Sequence, residues 1–198
     1  MTVHVSLKGL APVPSSGIVV SGEQLRHIEA RESLLDAAFG AERFEKTSER
    51  LREGRLPSDG LALVAEAGDR LVGTVRLWDV TLGPDRPGLM LGPLAVDGTL
   101  RSAGIGGLLM REAIGRARAL GHRAVVLVGD EPYYRRFGFA QAKMDRLWMP
   151  GPVERSRFLG LELVPGALDG ARGLISPTGA EAPRWQGVEL GRVWRIAA

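Results

Sequence analysis

Between Leu91 and Met110 the chain reads LGPLAVDGTLRSAGIGGLLM, with Gly104, Gly106 and Gly107 at the mouth of an apolar helical periodicity. A strand that turns into a helix opening on glycines suits anion binding, because the first helical N–H groups lack intrahelical partners and sit at the positive end of the helix dipole. Glycine also lets a ligand approach the backbone and accepts positive φ. Taken as letters alone, the same glycines fit tight packing at a strand-to-helix corner better than they fit a ligand. Two nucleotide patterns fail here. There is no G-x-x-x-x-G-K-[ST], and G-x-G-x-x-G breaks because Leu109 stands three after Gly106.

Other chemistry is limited by what the chain lacks. It has no Cys, which excludes disulfides, thiolate metal sites and a Cys nucleophile. Its three histidines, His4, His27 and His122, are too dispersed to assemble a metal cluster, so no metal is expected. His27 sits near a helix start and reads as a capping or solvated residue. Trp78, Trp148, Trp185 and Trp194 are candidates to line a cleft, although aromatics at strand positions more often fill a core. Lys+Arg 26 against Asp+Glu 23 is nearly balanced and scattered, so nucleic acid is not implied. No segment reaches the about eighteen uninterrupted apolar residues that a membrane helix needs, and no basic start precedes a long apolar stretch. A cytoplasmic protein with no membrane partner is expected.

At 198 residues with 44% hydrophobic content the chain can bury a sizeable core. Residues 1–17 read as a loose Pro- and Ser-containing arm. Ile18 to Val20 is a short strand; Ser21 and Gln24 have capping-box spacing for a helix carrying Ile28, Leu35, Ala38 and Phe39, which Gly40 ends. A second helix is expected from Ala41 to Glu53, turning Phe44 and Leu51 inward. Gly68-Asp69 between Leu61–Ala67 and Leu71–Val80 signals a hairpin. Leu89 to Val96 is a further strand that Gly92-Pro93 must distort. Ile105, Leu108, Leu109, Ala113, Ala117 and Leu120 share one helix face, closed by Gly121, and AVVLV at Ala124 to Val128 is a buried strand parallel to its predecessor. Strands follow near Leu147 to Met149 and Phe158 to Val164. Pro165 to Pro183 reads as loop, and Val188 to Ile196 as an edge strand.

Taken together, LAV at Leu94 to Val96, the R-x-x-G-x-G run from Arg101 to Gly106, the AVVLV strand and VGDEPYYRRFGF at Val128 to Phe139 resemble the GNAT superfamily of acetyl-CoA-dependent N-acetyltransferases. The likeness is greatest to bacterial predicted N-acetyltransferases ending V-G-D-x-x-Y-Y-x-R-F-G-F. It is specific from about Gly60 to Phe139 and extends over residues 18–177, leaving 178–198 as a C-terminal extension. The resemblance implies an α+β fold: a mixed, mostly antiparallel central sheet with a splayed parallel strand pair, flanked by helices. It also implies acetyl-CoA as co-substrate, with the backbone of Leu94, Ala95 and Val96 pairing to the pantetheine arm. Amides of Ser102, Ala103, Gly104, Ile105, Gly106 and Gly107 would hold the pyrophosphate, with Arg101 opening the loop.

Within that family, the amide of Ala95 or Val96 would meet the thioester oxygen. Tyr134, four residues before Gly138, stands where many members carry the acid that protonates the departing thiolate; an aromatic packed on the cofactor or sheet is the equal alternative. Tyr133 fits structural packing better, and Asp130 and Glu131 fit capping of a short helix opening at Pro132. Glu45, Glu66, His27, Asp97 or a water chain could deprotonate the acceptor. The sequence departs from members that place a Glu on the strand before the bulge, since Gly88 to Gly92 offers none. The expected reaction is direct acetyl transfer to a primary amine of a small molecule or peptide. The alternative is a non-catalytic acyl-CoA-binding or regulatory module of the same fold. Dimers are frequent in the superfamily, so a homodimer is compatible.

Overall fold

The computed structural model describes residues 17–183. The expected arm, apart from Gly17, therefore lies outside the described residues, as do the strand expected at Val188 to Ile196 and the residues Trp185 and Trp194. In chain order the described elements are β1 (Ile18–Gly22), α1 (Ile28–Phe39), β2 (Ala62–Ala67), β3 (Arg70–Leu82), β4 (Pro87–Val96), α2 (Ile105–Ala119), β5 (Ala124–Val128), α3 (Glu131–Tyr134), β6 (Leu147–Trp148), β7 (Phe158–Glu162) and β8 (Gly173–Pro177). They form one eight-stranded sheet in the order β1-β2-β3-β4-β5-β7, with β8 against β3 and β6 against β8. Pairing is antiparallel except at β4–β5 and the short β6–β8 contact. The expected mixed, mostly antiparallel sheet flanked by helices is the observed one.

Local signals explain much of this. Gly68, at φ +59°, and Asp69 form the two-residue turn between Ala67 and Arg70, which face each other across the β2–β3 ladder. Helix α2 lays Ile105, Leu109, Ala113 and Ala117 on the sheet, where they join Leu63, Val75 and the AVVLV residues Val125 and Leu127 in one core. Gly73 makes the approach possible: a Cβ there would stand 2.9 Å from Leu109 Cδ1 and 3.1 Å from Ile105 Cγ2. A second core on the other sheet face gathers Trp78, Met90, Met144, Phe158 and Ile175.

Three expectations are corrected. The helix expected from Ala41 to Glu53 is two 3-10 turns, Ala41–Glu45 and Thr47–Leu51, with Lys46 extended between them. Side-chain bonds outside the segment win over helical continuity. Thr47 Oγ1 donates to the Pro152 carbonyl and Arg50 to that of Pro150, at 2.5 and 2.6 Å. Leu51 is buried as expected, but Phe44 is only partly so. The entry to α1 also differs, since the Gln24 N–H donates to His27 Nδ1 at 3.0 Å and Gln24 caps a 3-10 turn (Leu25–His27) ahead of the helix. That helix turns Arg31 and Glu32 inward with Leu35, so its inner face is largely ionic. Finally, the Gly- and Pro-rich Pro165 to Pro183 text contains β8, which pairs with Val80 to Leu82 on β3. Beyond it the chain stays packed, as Ala180 accepts from Leu56 N–H and Ala182 donates to Gly54.

Among the described residues no helix is long and apolar enough to cross a membrane. Leu109 is fully buried, so Leu109→Ala should lower the unfolding free energy by about 2 to 5 kcal/mol through lost contacts and an unfilled cavity. Leu120→Ala, at a residue 55% exposed, should change it by less than about 0.5 kcal/mol in the same urea titration.

Candidate active site

The site begins where β4 stops pairing with β5. Their parallel ladder consists of Leu89 with Val125 and Met90 with Val126. One residue on, β4 bulges: Leu77 faces Leu91 and Val75 faces Leu94, so Arg76 opposes both Gly92 and Pro93. Gly92 has φ +127°, a conformation that a side chain would strain, and its carbonyl accepts from Trp78 Nε1 at 2.6 Å. Asp97 N–H donates to Val72 O at 2.9 Å. Antiparallel alternation then turns Ala95 N–H toward β3 and aims the N–H groups of Leu94 and Val96 into the gap left by β5.

At one end of that gap lies the loop into α2. Ser102 and Gly104 both take positive φ, 71° and 79°, which swings the chain so that successive amides face outward at the helix N-terminus. Ala103 N–H is used within the loop, donating to Leu100 O at 3.2 Å. The amides of Ser102, Gly104, Ile105, Gly106 and Gly107 have no acceptor among the described residues. They border a cavity of about 680 Å3 lined by Arg101, Arg111, Arg118 and Arg136 and by no acidic residue. Ala95 and Ala103 line neither this cavity nor the cleft described below; Val96 lines the cavity and Leu94 the cleft. Sequence reading finds Arg101 but misses the other three. The signal is present, since Arg111 and Arg118 are seven apart and share one face of α2.

Two adjacent tyrosines divide the space. Tyr133 lines the arginine cavity, with its hydroxyl over Gly106, where a Cβ would stand 2.6 Å from that oxygen. Arg136 stacks 4.5 Å from its ring centroid. Tyr134 turns the other way, its ring lying on Gly129, where a Cβ would meet Cε2 at 2.2 Å. The two rings meet edge to face with centroids 4.9 Å apart. The glycines of R-x-x-G-x-G and V-G-D are thus also clearances for these two side chains. Burial first, and then the neighbouring Tyr133 and Asp130, push the Tyr134 phenol up to about 12. Its hydroxyl has no hydrogen-bond partner among the described residues. Asp130 and Glu131 do not face a reacting group: Asp130 pairs with Arg157 at 3.1 Å and Glu131 with Arg135 at 2.6 Å, and Pro132 lies in the first turn of α3.

Tyr134 lines a second cleft of about 280 Å3 at the other end of the gap, with Trp78, Leu94 and Gly129. Trp78 is both cleft wall and core, whereas Trp148 is 58% exposed under Arg155. None of the four residues considered as bases lines it. Glu66 is held by Arg26 at 2.8 Å, with His27 Nε2 at 3.3 Å, and the Arg26 hydrogen bond holds its carboxyl below the ordinary value. Asp97 caps the Gly98–Leu100 turn through Thr99 and binds Arg70, the Thr99 hydrogen bond first among the causes that lower it. Glu45 is exposed. The acids that do line the cleft are Glu32, Glu49 and Asp130. Among the described residues no group of three or more His, Cys, Asp or Glu could hold a metal ion.

An anion cradle at a helix mouth lies beside a strand pair splayed at a bulge, and comparison with known proteins gives the class of protein built this way. Residues 25–139 match the model of the Acetyltransferase (GNAT) family. The uncharacterised N-acetyltransferase YhbS of Escherichia coli K12 is 32% identical over 145 residues, 73% of this chain and 86% of YhbS. A crystal structure of YhbS in complex with CoA superposes with TM-score 0.70 at 29% identity, covering 88% of this chain and 94% of that one. A GNAT family acetyltransferase from Brucella melitensis, in complex with acetyl-CoA, shares the fold at TM-score 0.58 and 24% identity over 86% and 96% of the two chains. The chain belongs to the GNAT acetyltransferase family.

Tyr133 and Tyr134 are the only tyrosines in the chain, so phenolate absorbance reads the site alone. Tyr133 is also raised, chiefly by burial. An alkaline titration should show little ionisation at the ordinary value of about 10, and Tyr133→Phe should leave one transition still held above it by burial. A transition near 10 in that variant would place the Tyr134 hydroxyl in water.

Proposed function

We propose that this chain binds acetyl-CoA across the β4–β5 gap and transfers its acetyl group directly to a primary amine. One observation carries the reading: five amides of the Ser102–Gly107 loop without protein acceptors share a cavity with four arginines, and Val96 at the outer edge of β4 lines it too. CoA carries phosphates at one end and an amide-rich arm at the other. The diphosphate fits the Ser102–Gly107 loop, with the Arg101, Arg111, Arg118 and Arg136 guanidiniums offsetting its charge. The pantetheine amides fit the free backbone groups of Leu94 and Val96. That arm leads the thioester toward Tyr134, and the acceptor enters from the cleft on the far side.

In the reaction the amine nitrogen attacks the thioester carbon, charge collects on the carbonyl oxygen, and the carbon–sulfur bond then breaks. Leu94 N–H, aimed into the gap on the same side as Tyr134, is the donor for that oxygen. The departing thiolate takes the Tyr134 hydroxyl proton, and the phenolate recovers one from water, to which the amine has given its own. A phenol at about 12 keeps that proton throughout the neutral range, but giving it to an ordinary thiolate of pKa about 8.5 costs roughly 4 to 5 kcal/mol. A thiolate buried in the same gap is desolvated as well, which raises its own affinity for the proton and narrows the difference.

The acids lining the cleft are already bound to arginines, so the amine loses its proton to water. The surrounding cations favour the neutral amine.

A thiol assay of CoA release tests the proposal. Release should depend on added amine, and Tyr134→Phe should lower kcat by about a hundredfold while CoA affinity changes less than threefold. CoA binding with no amine-dependent release would instead support the non-catalytic module. The pH profile has a defined sign: kcat/KM should rise as the substrate amine deprotonates, with no falling limb up to pH about 10, because Tyr134 still holds its proton there.

A further inference from the structure

The acceptor cleft is charged in an unbalanced way. Each acid that lines it is already held: Glu32 by Arg31 at 2.6 Å and by Arg43, Glu49 by Arg52 at 2.8 Å, and Asp130 by Arg157 at 3.1 Å. The lining cations are more numerous, since Lys46 and Arg76 join Arg43, Arg52 and Arg157. Glu23 compensates Arg76 from behind, through Nε at 2.9 Å, and is shared with Arg31. Lys46 has no acidic partner among the described residues; its ammonium lies 4.5 Å from the Phe39 ring centroid. The extended backbone at Lys46, between two 3-10 turns, is what brings this residue to the cleft wall.

Arg52 is paired with Glu49 but keeps donors unused. Its side chain is only 8% exposed, and its Nε is buried with no hydrogen-bond partner. Nη2 serves Glu49 and Ser48, while Nη1 makes no bond among the described residues. Burial depresses the guanidinium below its ordinary value; Glu49 opposes this and the like charge of Arg43 adds to it. A buried cation crowded by another cation, with donors unused, is stabilised by an incoming anion.

We infer that the acceptor is a small primary amine carrying an anionic group, which Lys46 and Arg52 receive while the amine reaches the gap beside Tyr134. This rests on the reading above that the cleft is the acceptor side. The cleft, at about 280 Å3, has room for a small molecule of this kind. A diamine of the same length would bring a second ammonium ion against Lys46 and find no free carboxylate.

A matched series separates these cases: propylamine, diaminopropane, β-alanine and aminoethylphosphonate, assayed for CoA release with acetyl-CoA. The anionic amines should exceed propylamine in kcat/KM by about tenfold or more, with diaminopropane lowest, and their ratio tells carboxylate from phosphonate. Lys46→Glu should erase that preference and raise diaminopropane above β-alanine. Turnover of propylamine or diaminopropane at or above the anionic pair would overturn the inference and leave acetyl transfer standing. If no amine is turned over, acetyl transfer itself fails. Calorimetry on the CoA-loaded protein then decides the anion separately: β-alanine binding at least tenfold tighter than propylamine upholds the inference, and equal binding overturns it.

Discussion

The parallel ladder between β4 and β5 ends after two residue pairs, and the site is arranged around that break. A bulge that sets Arg76 against both Gly92 and Pro93 turns β4 out of register with its continuation, so its outer edge faces empty space instead of a neighbour. Unpaired backbone groups inside a protein are costly, and here they are left open to an incoming chain of amides. The helix that follows starts a few residues beyond the same strand, so the glycine loop lies next to the strand edge.

Charge is distributed around this channel in two distinct ways. On the α2 side, arginines gather with no lining acid, which suits a ligand of several negative charges. On the α1 side, cations and acids interlock: Arg31, Arg76 and Arg43 join Glu23 and Glu32 in a buried cluster that ties helix α1 to β3 beside the bulge. Burial raises the Glu23 carboxyl, against the pull of Arg31 and His27. Such clusters add little net stability, but removing one member strands the others, so α1 is held in one orientation.

Much of this is legible from residue order. The hairpin at Gly68-Asp69, the distorted strand at Gly92-Pro93, the glycine-opened helix and the apolar AVVLV strand all follow from local backbone preference and periodicity, and each is in the structure. Where tertiary partners decide, the reading fails. Thr47 and Arg50 spend their side chains on the Pro150–Pro152 loop and break a helix that propensity supports. The burial of Arg31 is not legible either, because it depends on Glu23, which also binds Arg76 across on β3. The division of labour between Tyr133 and Tyr134 is equally hidden, because it depends on which glycine each ring finds across the gap.

The longest strand has a divided edge. β2 covers its first part as far as Arg76, and the stretch from Val80 to Leu82 is covered by β8, whose last paired residue is Pro177. During synthesis on the ribosome the hairpins and the glycine-opened helix can assemble early, whereas this short section of edge stays open until nearly the whole domain has emerged. A truncation ahead of Gly173 would expose a bare strand margin beside the apolar Trp78 core, a ready template for association with other chains.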